Sequence, residues 1–232
     1  MFQTRCAGCD TPGPAVCTTC RFALVGRQAR PAAHGVHAAL AFTGRARDVV
    51  LGFKYRNRRQ VGAHLAGLVV NRIVANGDQH RIDVVTWAPT SNARRHERGF
   101  DQGEVVARHV ARQLGVPCRR LLDRHGRRSP SQTGRTRAER LHGVAFRARP
   151  GLAGRRVLVV DDVVTTGATL VAARRSLEEA SVADVLLYAV AATPASRSVD
   201  RVPVTRASGA RVSGARHLHS VPAPQRASGA AA

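Results

Sequence analysis

The sequence predicts an α/β protein, a parallel sheet flanked by helices, with a small cysteine-rich module ahead of it. Three observations carry this. Residues 156–162 hold four consecutive apolar residues, Val157 to Val160, followed by two acids, which is the pattern of a central parallel strand buried on both faces. Residues 168–180 place Leu170, Val171 and Leu177 on one side of a helix, and residues 184–191 form a second apolar run. Strand, helix and strand at this spacing make a βαβ unit, hence parallel pairing. The third observation is that four of the five cysteines fall within the first 30 residues.

The other elements follow in order. Residues 38–43 read as a short strand and 45–55 as a helix. Residues 83–88 are an apolar run ending at Pro89, the mark of a buried strand. Residues 102–114 carry Val105, Val106, Val110 and Leu114 at helical spacing, with Gly115 as a stop. After about residue 193 the chain turns to Ser, Ala, Gly, Arg, His and Pro, and 206–232 is expected to be disordered. The organisation is therefore a cysteine module over 1–30, an α/β domain over 31–200 and a basic tail over 201–232, without internal repeats.

Length and charge bound the function classes. A chain of 232 residues suffices for one α/β domain plus an appendage. No apolar run reaches the roughly 18 residues of a membrane span, and residues 1–10 lack a secretory pattern, so a cytoplasmic location is expected. The formal net charge is +22. Such a charge suits nucleic acid or another acidic partner. Lys54 is the only lysine, however, and an arginine-, alanine- and glycine-rich composition is also what a GC-rich coding sequence produces. Either way, the field attracts phosphorylated ligands.

The most informative segment is Asp161-Asp162-Val163-Val164-Thr165-Thr166-Gly167-Ala168-Thr169. A buried strand is expected to end at the two acids, at the sheet edge where open α/β folds bind ligands. The loop then enters a helix, so its N–H groups and the helix N-terminus can cradle a phosphate dianion. The threonine hydroxyls add donors, and Gly167 permits close backbone approach. The adjacent carboxylates can accept hydrogen bonds from vicinal hydroxyls or hold Mg²⁺. A plain strand end, or a metal-holding phosphoacceptor pocket, accounts for parts of this string but not for all of it. After the strand at 83–88, Arg94, Arg95 and Arg98 lie close enough in sequence to converge on a multivalent anion, although a solvated basic loop has the same composition.

Taken whole, the Asp-Asp-x-x-Thr-Thr-Gly-x-Thr string resembles the phosphoribosyl diphosphate-binding motif of type I phosphoribosyltransferases. The resemblance implies a phosphoribosyltransferase-like parallel sheet. It also implies catalytic carboxylates at Asp161 and Asp162 on the ribose 2- and 3-hydroxyls, a 5-phosphate cradle from Thr165 to Thr169, and phosphoribosyl diphosphate contacts from Val163 and Val164. Arg94, Arg95 and Arg98 would face the diphosphate, with Mg²⁺ neutralising that leaving group while an acceptor attacks the anomeric carbon. Further segments resemble the ComF family: Phe53-Lys-Tyr-Arg-Asn-Arg58, Arg98-Gly-Phe-Asp-Gln102, Gln132-Thr-Gly, Glu139-Arg140, Phe146 and the four-cysteine N-terminus. One departure is Gly143, near where an Asn follows the Glu-Arg pair in that family. In related enzymes the segment corresponding to 124–149 closes over the site. The family's association with competence keeps a second reading open, an accessory protein that binds single-stranded DNA or competence proteins. The sequence names neither the acceptor nor the oligomeric state.

Cys6-x-x-Cys9 and Cys17-x-x-Cys20 form two knuckles with the spacing of a tetrahedral Zn²⁺ site. Structural zinc is the expectation; a disulfide pair or a redox role fits a cytosolic chain less well. His34 and His37 are expected at the surface and Cys118 in the core.

Overall fold

The computed structural model describes residues 4–25, 33–55, 58–125 and 144–194. All of them belong to one compact unit, Met1–Ser196. The expected tail at 206–232 and most of the segment 124–149 lie outside the described residues, as do Gln132, Glu139, Arg140 and Gly143.

In chain order the elements are α1 (Thr18–Leu24), β1 (Val36–Ala41), α2 (Gly44–Tyr55), α3 (Val61–Ala75), β2 (Val84–Trp87), α4 (Asn92–Arg98), α5 (Gln102–Leu114), β3 (Leu122–His125), β4 (Ala145–Ala148), β5 (Arg156–Val164), α6 (Ala168–Glu178) and β6 (Asp184–Ala192). Four strands form a fully parallel sheet in the order β1-β6-β5-β2, while β3 and β4 pair antiparallel. Successive residues of a strand point to opposite faces, and both faces of the sheet's centre are covered. Leu158, Val160, Tyr188 and Val190 join a core with α2, α3 and α5. Val157, Val159, Leu187 and Ala189 join a second core with α6 and the β3–β4 pair. This is why residues 157–160 are uniformly apolar: all four are fully buried.

Three differences from the sequence reading have physical causes. β5 does not end at Asp161 and Asp162 but runs to Val164, because β6 continues opposite it and pairs Val163 with Ala191 and Val164 with Ala192. The basic stretch after Pro89 is not a loop: Ser91 caps α4 by accepting from the Arg94 N–H, and Gly99 ends it at φ +71°. His37 is not a surface residue; its ring stacks on Tyr188 at 5.1 Å, and its Nδ1 is buried. Tyr188 itself donates to Asp78 at 2.7 Å and accepts from Asn76 at 2.8 Å, so this buried polar group is satisfied.

The cysteine module shares the first core: Cys6, Ala7, Val16, Cys20 and Leu24 pack with Ala46, Val49, Val50 and Phe53. Its backbone lies directly on α2. Arg45 donates to the Gly8 carbonyl at 3.0 Å, and Arg58 donates to the Cys6 carbonyl and to Asp10. A Cβ on Gly52 would stand 2.3 Å from the Ala7 carbonyl oxygen. Gly52→Ala is therefore expected to push the module off α2, at a cost of about 1–3 kcal/mol or more. A fall in melting temperature checks this, and an unchanged one contradicts the packing.

Candidate functional site

The C-terminal ends of parallel strands leave backbone groups and loops free of helices, which is where α/β folds gather ligands. Here β5 delivers Asp161 and Asp162, and the chain then turns through Thr165 and Thr166 into α6. Gly167 caps that helix at φ +80°, a left-handed conformation that costs glycine little. Asp161, Val164, Thr165, Thr166, Gly167 and Thr169 line one open cleft at the N-terminus of α6. Thr165, Thr166 and Ala168 are exposed, and the Ala168 N–H approaches Thr166 Oγ1 at 3.4 Å. The positive end of the helix and these donors make the cleft suited to an anion.

The two acids are not equivalent. Adjacent strand residues face opposite ways, and only Asp161 lines the cleft. Asp161 Oδ1 accepts from the Asp162 N–H at 2.8 Å. Asp162 accepts from the Val163 N–H at 2.6 Å through Oδ1, and its Oδ2 meets Lys54 Nζ at 3.0 Å. Burial, then the neighbouring Asp162 charge, push Asp161 well above the usual carboxylate range; the Asp162 N–H and Lys54 oppose this, and Asp101 adds to it.

Asp101 and Arg124 complete the cluster; in the sequence Asp101 stood out only within the Arg98-Gly-Phe-Asp-Gln102 segment, and Arg124 carried no site role. Asp101, only 7% exposed, caps α5 through the Glu104 N–H and also accepts from the Thr90 N–H at 2.9 Å. It thus ties together both ends of the segment that carries α4. Burial raises its pKa, against those two donors, with the charge of Asp162 adding to the rise. The Asp101-x-x-Glu104 spacing just ahead of a helix was the signal available. Arg124 on β3 donates to the Pro89 carbonyl at 3.1 Å and lies 5.9 Å from the Phe146 ring. Burial and then the charge of Arg94 lower its pKa, whereas Asp161 and Asp101 raise it, so Arg124 is within electrostatic reach of both acids and of α4.

Of the three arginines singled out on α4, Arg94 is exposed and within electrostatic reach of Arg124, and Arg95 is exposed on the same helix. Arg98 is engaged elsewhere: it donates to Gln102 at 3.1 Å and to the Tyr55 hydroxyl at 3.2 Å, across whose ring it lies. The end of α2 therefore touches both halves of the site, through Lys54 on Asp162 and Tyr55 on Arg98. Phe53 adds an edge contact to Phe100 at 5.6 Å.

At the other end of the chain, the ligand atoms of Cys6, Cys9, Cys17 and Cys20 all lie within 4.8 Å of one another. A tetrahedral Zn²⁺ with sulfur at about 2.3 Å sets its ligands about 3.8 Å apart, and Cys9 and Cys17 stand at 3.6 Å. Burial disfavours ionisation of Cys6, but the N–H groups of Cys17, Cys9 and Gly8 outweigh it and bring the thiol down to about 6. Four sulfurs gathered in this way are the donor set of a structural metal, so the four cysteines form a group able to hold an ion such as zinc. Among the described residues no helix is long and apolar enough to cross a membrane.

Residues 101–212 match the phosphoribosyl transferase domain family. Competence protein F of Haemophilus influenzae is 24% identical over 147 residues, covering 60% of this chain and 64% of that protein. Among solved structures, the glutamine phosphoribosylpyrophosphate amidotransferase of B. subtilis overlaps 62% of this chain and 27% of its own, at 23% identity and a TM-score of 0.39. The purine phosphoribosyltransferase of Pyrococcus horikoshii overlaps 57% and 83%, at 14% identity and a TM-score of 0.36. A four-cysteine module ahead of a parallel sheet, with the Asp-Asp and Thr-Thr-Gly segment inside the matched region, makes this chain similar to the phosphoribosyl transferase domain family and to competence protein F.

Proposed function

We propose that this protein binds phosphoribosyl diphosphate together with Mg²⁺ and transfers the phosphoribosyl group to an acceptor, releasing diphosphate. The observation that carries the reading is the single cleft in which the Asp161 carboxylate meets the threonine-rich turn at the α6 N-terminus. In this reading the N–H groups and hydroxyls from Thr165 to Thr169 hold the 5-phosphate. Asp161 and Asp162 form the ribose end, and the negative charge carried by this pair favours the positive charge that develops on the sugar as the anomeric C–O bond breaks. Arg94 and Arg124 supply cationic surface for the departing diphosphate. The Asp161 and Asp162 carboxylates would help to hold a Mg²⁺ that enters with the ligand, and the ion would supply charge neutralisation for the diphosphate. The zinc held by Cys6, Cys9, Cys17 and Cys20 is structural.

Isothermal titration with phosphoribosyl diphosphate tests this. Saturable binding that strengthens with Mg²⁺ is the expected result, followed by diphosphate release when the right acceptor is added. No heat at millimolar ligand would overturn the reading.

The exposed basic face of α4, with Arg94, Arg95 and His96 outward, favours a second reading, binding of single-stranded DNA in keeping with the relative named for competence. It requires an affinity that falls steeply with salt; a flat salt response excludes it.

A further inference from the structure

Lys54 is the only lysine in a chain that otherwise uses arginine for its basic residues. Its ammonium and the Asp162 carboxylate sit 3.0 Å apart, and each side chain is only 14% exposed. An arginine presents a planar fork, whereas a lysine presents a compact point charge that fits a narrow space beside one carboxylate oxygen. Asp161 and Asp101 lie within electrostatic reach of this pair, and Arg124 within reach of both acids. Three acids thus gather at the end of β5, and the carboxylate that turns away from the cleft is the one Lys54 neutralises. Both oxygens of Asp162 are engaged, Oδ1 by the Val163 N–H and Oδ2 by Lys54. Asp161, by contrast, has one oxygen bonded to the Asp162 N–H while its side chain lines the cleft.

We propose that Lys54 is a positioning residue of this site. It locks Asp162 into an internal ion pair, leaving Asp161 as the carboxylate that meets the ribose hydroxyls and sparing the ribose end a divalent cation of its own. The ligand side of this proposal rests on the phosphoribosyl diphosphate reading; the charge-compensation side does not. Removing the ammonium leaves clustered carboxylates uncompensated in a poorly solvated place, which invites a hard cation with oxygen preference. Removing both partners of the pair restores neutrality, so the double change is milder than either single one.

The test uses the full-length, metal-loaded protein and its Lys54→Met, Lys54→Arg, Asp162→Asn and Lys54→Met/Asp162→Asn variants, with melting temperatures recorded for each. Free Mn²⁺ is followed by electron paramagnetic resonance without ligand, and phosphoribosyl diphosphate affinity by calorimetry. Lys54→Met is expected to take up one Mn²⁺ that the wild type does not. It is also expected to lose affinity for phosphoribosyl diphosphate by about tenfold or more, the scale of a lost charge-assisted contact. Lys54→Arg restores the wild-type response in part, and the double variant binds no Mn²⁺ and recovers affinity relative to Lys54→Met. Equal Mn²⁺ uptake by wild type and Lys54→Met, or a double variant no better than Lys54→Met, overturns the proposal. A wild type that ignores phosphoribosyl diphosphate overturns the functional reading instead, and the Mn²⁺ comparison still decides the role of Lys54. Should Lys54→Met fail to fold, the neutral double variant and Lys54→Arg carry the same comparison.

Discussion

Replacing Asp161 and Asp162 together by asparagine is expected to lower the affinity for phosphoribosyl diphosphate by about 100-fold or more. Hydrogen bonds to charged groups contribute about 1.5–3 kcal/mol each, and every ~1.4 kcal/mol is a factor of ten. Asp161→Asn alone should account for most of the loss, because its side chain lines the cleft while Asp162 is engaged by Lys54. The fold should survive. Burial and the Asp162 charge raise the Asp161 pKa in the folded chain, so the native state holds that proton more tightly than the unfolded state. Its contribution to stability is greatest at acid pH and is lost as pH rises through the raised folded value. Asp161→Asn, which stays neutral, should therefore gain on the wild type as pH climbs above about 4, the ordinary carboxylate value. Titration calorimetry with melting curves between acid and neutral pH checks both halves. Retained affinity in the double variant removes these carboxylates from the ligand site.

Stripping the metal from the four-cysteine group should have the larger effect on stability. The module is not an independent appendage but supplies Val16 and Leu24, each 2% exposed, to the same core as α2. Without an ion, no cross-link holds the buried Cys6 and Cys20 together with Cys9 and Cys17. Exposing Val16 and Leu24 alone forfeits about 3–6 kcal/mol, and for a domain of this size that corresponds to a fall of about 10 °C or more in melting temperature. Scanning calorimetry before and after a zinc chelator, with elemental analysis of bound metal, measures it. An unchanged transition after complete metal loss would mean that hydrophobic packing on α2 holds the module by itself. Because α2 also carries Lys54 and Tyr55, the chelated protein that remains folded should bind phosphoribosyl diphosphate more weakly than the loaded protein.

The elements readable from sequence were those whose signal fits within a short window. α5 coincides with the expected 102–114, stopped by Gly115 at φ +71° as the pattern required. β5, α6 and β6 follow because four consecutive apolar residues, a helical stripe and a second apolar run admit few other packings. α3 was passed over although Val61, Leu65, Val69 and Ile73 recur at helical spacing and are fully buried; its periodicity was there to be counted. α4 was harder. Its seven residues bury no side chain, so no apolar stripe marks it, and only Ser91 and Gly99 at its ends show that it is a helix.

By itself the sequence determined the parallel sheet, the phosphate-suited turn after β5 and the cysteine spacing, because each is written in neighbouring residues through propensity, periodicity and ligand geometry. Only the tertiary structure decided that of the two adjacent acids Asp161 lines the cleft while Asp162 pairs with Lys54, that Arg98 bonds Tyr55 and Gln102, and that Asp101 and Arg124 join the cluster. Those outcomes depend on which layer each strand face meets and on how far β6 extends the pairing of β5. Lys54 and Asp162 lie on different elements far apart in the chain, and no local pattern encodes their meeting; the packing of α2 against the sheet does.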